Sequence, residues 1–84
     1  MVKPSYSALE EAYARRCLPA PHERRAIRRA AGLSRLKVAR SVGVTSTAVG
    51  YWESTSGRHS EPRGENLYSY LELLRDLANL SEGV

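Results

Sequence analysis

Residues 32–54, GLSRLKVARSVGVTSTAVGYWES, decide the fold because they specify two short helices joined by a glycine-centred turn. Ser34 and Thr45 are residue types that cap helix N-termini. Gly43, between them, suits a left-handed turn that a residue with a Cβ disfavours. Ala39 is small where the helices would approach each other. Five apolar side chains are spaced to close a core between the two helices: Val38, Val42, Val44, Val49 and Trp52. The pattern predicts a helix-turn-helix unit.

The flanking segments predict three more helices. Residues 7–17 start with the capping-box spacing of Ser7 and Glu10. A second helix is expected over residues 22–31, and a stripe of leucines and tyrosine predicts a long helix from about residue 65. No segment alternates as a strand would. We therefore predict an all-α domain of five helices.

Two prolines separate the first predicted helix from the others. The sequence LPAP at residues 18–21 interrupts the helical pattern, and its prolines make the connection stiff. We therefore expect residues 1–20 to form an N-terminal helix with a proline-containing joint, added to a main helix-turn-helix domain over residues 21–84.

The chain is basic. Its 84 residues carry a formal net charge of +4, and eleven of the 13 basic residues are arginines. This balance indicates a nucleic acid or an acidic partner, although a GC-rich coding sequence would also raise the arginine content. There is no apolar run of the roughly 18 residues that span a membrane, no signal-peptide core, and only one cysteine, Cys17. We expect a cytoplasmic protein that binds no membrane.

The polar residues do not form a catalytic or metal-binding pattern. His22 and His59 lie far apart without ligand spacing. Serine, histidine and aspartate are scattered, with no glycine-framed nucleophile. We predict that the protein is not an enzyme and takes no metal, cofactor or small-molecule ligand.

Residues 28–54, RRAAGLSRLKVARSVGVTSTAVGYWES, resemble the helix-turn-helix domain of the phage Cro and repressor family, also called Xre-like. The GLS start, the Ala39–Gly43–Val44 spacing and the WE ending carry the likeness, which covers roughly residues 22–78. The N-terminal helix matches nothing in that family. The resemblance implies a lambda-repressor-like fold and a Cro-type transcriptional regulator. Such a protein binds operator double-stranded DNA through the major groove, here as an expected homodimer in a bacterial or phage-infected cytoplasm.

The resemblance also assigns roles to residues. It implies DNA contacts at eight positions: Arg35, Thr45, Ser46, Thr47, Tyr51, Ser54, Arg58 and Arg63. Arg35 replaces the usual glutamine and strengthens phosphate binding. The family also carries a partly buried ion pair between its first and third helices, which here would join Arg28 to Glu53.

TSTAVGYWE, residues 45–53, would be the recognition helix, yet it has no Arg, Lys, Asn or Gln. The hydroxyls and methyls at residues 45–47 predict modest direct readout of bases. Arg35, Tyr51, bridging waters and DNA shape would supply the remainder. Gly50 lies on the same outward side, where the bare helix backbone would approach the floor of the DNA groove closely. The alternative interpretation is that Gly50 is a neutral position on an exposed face.

Other side chains are expected to have structural or partner roles. Trp52 continues the Val49 face and belongs to the core. Four arginines are expected to form a solvated basic face, with phosphate contact as the alternative for each: Arg24, Arg25, Arg29 and Arg40. We expect Leu36 to pack on the first helix, and Leu77 and Leu80 to form a subunit contact.

A second class of function fits the same pattern. A helical protein-interaction module, such as an antitoxin or adaptor with this fold, would use the added apolar residues as its partner surface: Tyr6, Leu9, Tyr13 and Leu36.

Overall fold

A computed structural model describes residues 7–82, so the predicted role of Tyr6 lies outside the described residues. The five helices are α1 (Ala8–Cys17), α2 (Pro21–Ala30), α3 (Arg35–Val42), α4 (Ser46–Trp52) and α5 (Gly64–Glu82). No strand occurs among the described residues. The predicted all-α fold of five helices is confirmed.

The turn between α3 and α4 has the predicted chemistry. The Ser34 hydroxyl accepts from the backbone N–H of Lys37, and the Thr45 hydroxyl accepts from that of Ala48, so each cap satisfies a donor that its helix leaves unpaired. Gly43 ends α3 with φ of 93°, a left-handed conformation that favours glycine. These local contacts fix where α3 ends and where α4 begins.

The core lies where α3, α4 and α5 meet. The rings of Trp52 and Tyr70 are tilted by 45°, with their centroids 4.7 Å apart, and each fully buried apolar side chain contributes about 1.5–3 kcal/mol. Six buried residues form this cluster: Val38, Ala39, Val49, Trp52, Tyr70 and Leu74. Trp52 is therefore a core residue, as predicted, and its burial turns the neighbouring Tyr51 outward.

Helix α1 packs along α5. Its Ala14 is buried. The Arg15 guanidinium donates to the carbonyl of Pro62 at 3.0 Å, and the Glu11 carboxylate accepts from the backbone N–H of Gly64 at 2.7 Å. The capping box of Ser7 and Glu10 is also formed. The added helix is thus tied to the first turn of α5.

Two expectations about leucines are wrong. Leu36 remains 48% exposed, because α1 lies along α5 and does not cover it. Leu77 is buried, so it is taken up by the fold and is not free for a subunit contact, whereas Leu80 stays 64% exposed. None of the described helices is long and apolar enough to cross a membrane.

Candidate nucleic-acid interface

Arg28 and Glu53 form a buried ion pair. The Arg28 Nε lies 2.6 Å from Glu53 Oε2, and its Nη2 lies 3.0 Å from Oε1, a two-pronged contact. The remaining Nη1 donates to the carbonyl of Leu33 at 2.8 Å. Arg28 lies on α2, and Glu53 caps the C-terminus of α4. The pair expected from the resemblance is therefore present, and it joins these two helices.

Arg24 is buried, not solvated, which corrects its assignment to an exposed basic face. It is 4% exposed. Its Nε donates to the carbonyl of Pro19, and its Nη1 donates to the carbonyl of Trp52 at 2.9 Å. The Nη2 contacts both oxygens of Glu61, at 3.1 and 3.2 Å. Burial is tolerated because the guanidinium is paired and hydrogen-bonded.

The loop after α4 is held by the carboxylate of Glu61, which also pairs with Arg24. The His59 Nε2 contacts Glu61, and its Nδ1 lies 2.9 Å from the carbonyl oxygen of Ser54. Arg24 and His59 thus meet at one glutamate, which fixes the loop against α2. His59 has a structural role here that the sequence pattern did not predict.

Tyr70 adjoins these charges from α5. Burial raises the pKa of its hydroxyl well above the usual range, and the nearby Glu53 carboxylate raises it further. The hydroxyl is buried and has no hydrogen-bond partner among the described residues. Tyr70 therefore remains a neutral phenol beside the Arg28–Glu53 pair.

The outward side of α4 borders a groove of about 370 Å³, which we call the recognition groove. Seven residues line it: Arg35, Ser46, Thr47, Gly50, Tyr51, Ser54 and Arg58. All seven are residues that we nominated for DNA contact. None of the described residues that line it is acidic, so the groove presents hydroxyls and two guanidinium groups.

Two nominated residues are not part of this groove. The Thr45 hydroxyl is the N-cap acceptor of α4. Arg63 lies in a separate concavity that it shares with acidic Glu11 and Glu61. The structure therefore places Arg63 apart from the other nominated residues and beside negative charge.

Gly50 makes room for Arg35. A Cβ at position 50 would lie 3.0 Å from Nη1 of Arg35, closer than an ordinary contact. The Arg35 side chain thus extends from the start of α3 to the middle of α4. The sequence suggested that Gly50 only bares the backbone, whereas in the structure an arginine lies over it.

A second concavity adjoins the first, and we call it the arginine cleft. It has a volume of about 400 Å³. Four arginines and one glutamate line it, together with small residues: Arg25, Arg28, Arg29, Ser34, Arg35, Gly50, Glu53 and Ser54. The sequence favours a solvated basic face for Arg25 and Arg29, with phosphate contact as the alternative. Their spacing of one helical turn beside Arg28 was the available signal that they share a side of α2.

Comparisons with protein-family models, curated proteins and solved structures give no match to this chain. Within the described part of the chain, no group of three or more histidine, cysteine, aspartate or glutamate residues could hold a metal ion.

We expect the Arg28–Glu53 pair to respond asymmetrically to substitution. Either Arg28→Met or Glu53→Leu should lower the free energy of unfolding by about 3–5 kcal/mol, because an unpaired buried partner is left behind. The double variant Arg28→Met/Glu53→Leu should lose less than the more damaging single variant. Urea denaturation of all three gives the comparison. If the loss of unfolding free energy in the double variant equals the sum of the two single losses, the two residues are not coupled.

Gly50→Ala should stabilise the fold by up to about 1 kcal/mol, because alanine is the better residue inside a helix. Only the flexible end of Arg35 opposes the new methyl group. Thermal or urea unfolding measures the change. Gly57→Ala is the matched control, since it adds a methyl group into open space in a loop. A destabilised Gly50→Ala protein would show that Arg35 cannot shift.

Proposed function

We propose that this protein is a sequence-specific double-stranded DNA-binding transcriptional regulator. One observation carries the proposal: seven of the nine residues nominated for DNA contact line one groove, on the outward side of α4, and no described residue that lines it is acidic. Two short helices around a tight turn are the unit that places a helix in the DNA major groove. The resemblance to the Cro and repressor family supports the same function.

The side chains of the groove suit close contact with DNA. Ser46 and Thr47, on the first turn of α4, can donate to or accept from base edges, and a threonine methyl can pack on a thymine methyl. Tyr51 is 38% exposed and extends the same surface. Arg35 and Arg58 supply positive charge at its edges for the DNA backbone. Short side chains therefore contact bases, and arginines from outside α4 provide much of the affinity.

The proposed mechanism is occupancy. A regulator of this kind binds its operator in the cytoplasm of a bacterium or phage-infected cell and blocks polymerase. The net charge of +4 favours association with DNA. Because phosphate contacts release counterions, the affinity should fall steeply as salt rises.

Selection from a random duplex library should enrich one sequence, which the protein then binds more tightly than an unselected duplex. Tyr51→Phe should reduce the difference in affinity between the selected and the unselected duplex, because it removes a hydroxyl that can contact a base. Arg58→Gln should weaken binding to both duplexes and reduce the slope of log affinity against log salt by about 1, as expected for one lost phosphate contact. Fluorescence polarisation across a salt series measures both effects.

Arg16→Gln is the control, since it removes an exposed charge from α1, away from the groove. Weak binding that is equal for both duplexes at every salt concentration would contradict the proposal. That result would favour the protein-interaction module instead.

We also propose that the expected homodimer forms at an apolar groove between α1 and α5. It measures about 740 Å³, and Leu9 and Tyr13 stand beside it, 80% and 71% exposed. A two-fold interface brings the same patch of both copies together, so the patch must complement itself. The patch between α1 and α5 combines the exposed side chains of Leu9 and Tyr13 with a groove, and Glu72 and Arg75 supply one charge of each sign. A second copy of this chain therefore suits it.

Leu9→Glu should convert the dimer to a monomer without unfolding it, because Leu9 is exposed in the single chain. Sedimentation or light scattering gives the mass, and circular dichroism checks the fold. Leu36→Glu, an exposed leucine outside this groove, is the control and should stay dimeric. A monomeric wild-type protein, or the same loss of dimer in both variants, would exclude this interface.

A further inference from the structure

We propose that the arginine cleft is a phosphate-binding site, and that in the DNA complex it holds a backbone phosphate beside the recognition groove. The residues of the cleft by themselves support a phosphate-binding site, whereas the identification of its ligand as DNA rests on the proposed function. The proposal adds Arg25 and Arg29 of α2 to the binding surface, whereas the sequence favours a solvated basic face for both and leaves phosphate contact as the alternative.

The cleft holds positive charge that the fold does not neutralise. Of its four arginines, Arg28 is bonded to Glu53 and to a backbone carbonyl. Arg25, Arg29 and Arg35 are exposed, and none of them forms an ion pair with a described residue. Arg25 and Arg29 also repel each other, because like charges four residues apart on a helix are neighbours. A bound anion would relieve that repulsion.

The position of the cleft favours phosphate over other uses of the charge. Ser34, the N-cap of α3, lines it, so the cleft lies at the positive end of that helix. Ser54 also lines the cleft, and its hydroxyl lies 2.8 Å from that of Ser56. Guanidinium groups bind phosphate oxygens through paired N–H donors, a geometry that a lysine ammonium does not offer. Several donors thus converge on one concavity.

The cleft continues into the recognition groove. Arg35, Gly50 and Ser54 line both. A DNA strand whose bases face Ser46 and Thr47 would therefore carry a neighbouring phosphate toward Arg25 and Arg29. Arg35 lies at the boundary, where its guanidinium can contact the same phosphate.

Inorganic phosphate tests the site without DNA. At matched ionic strength, millimolar phosphate should raise the melting temperature of the wild type above its value in chloride. Arg29→Gln should lose most of that rise, measured against its own melting temperature in chloride. Arg40→Gln removes a charge from α3 outside the cleft and should keep the full rise. An equal phosphate response in all three proteins would overturn the proposal.

DNA binding tests the assignment to a backbone phosphate. Arg25→Gln and Arg29→Gln should each lower the slope of log affinity against log salt by about 1, alike for selected and unselected duplexes. Arg40→Gln should leave it unchanged. If the cleft binds phosphate but the protein binds no duplex, the proposed DNA function is excluded. The cleft is then a site for free phosphate compounds. Duplex binding that neither cleft variant alters would remove the cleft from the DNA surface.

Discussion

The buried pair of Arg28 and Glu53 fixes the end of α4, and the outward surface depends on it. Helix α4 has only seven residues and ends at Trp52, with Glu53 as its C-cap, so helix propensity alone could not hold it. Its inner side is anchored by Val49 and Trp52. Its C-terminus is held by the two-pronged contact to Arg28 and by the hydrogen bond from Arg24 to the Trp52 carbonyl. The orientation of Ser46, Thr47 and the other outward residues therefore follows from charges buried behind them.

The arginines of α2 divide into two pairs with different roles. Arg24 and Arg28 are one turn apart and buried, each paired with a glutamate. Arg25 and Arg29 follow one position later, and the rotation of 100° per residue carries them out to the arginine cleft. One helix thus uses its inner arginines to hold α4 and its outer arginines to make a basic surface. Two arginines that stand side by side in the sequence can therefore have opposite environments.

Local contacts made most of the fold predictable. The caps at Ser34 and Thr45 and the turn at Gly43 join residues at most five apart, so residue type and spacing suffice to locate them. Arg24 could not be assigned in this way, because its partner Glu61 lies 37 positions away in a loop without periodicity. The contact between α1 and α5 also joins distant segments, and for that reason the environment of Leu36 was wrongly predicted. Six of the seven residues of the recognition groove lie within residues 34–54, where the helix-turn-helix pattern fixes their relative placement, and Arg58 lies in the loop that follows.

Helix α4 carries no long polar side chain on its outward side, and Arg35 of α3 supplies one there. Because Gly50 has no side chain, the Arg35 guanidinium can lie over the middle of α4. A long cationic side chain is thus supplied to that surface from α3. Since Arg35 lines both concavities, under the proposed function it would couple base contact in the recognition groove to phosphate contact in the arginine cleft. Affinity and specificity would then depend on one side chain and on the glycine that accommodates it.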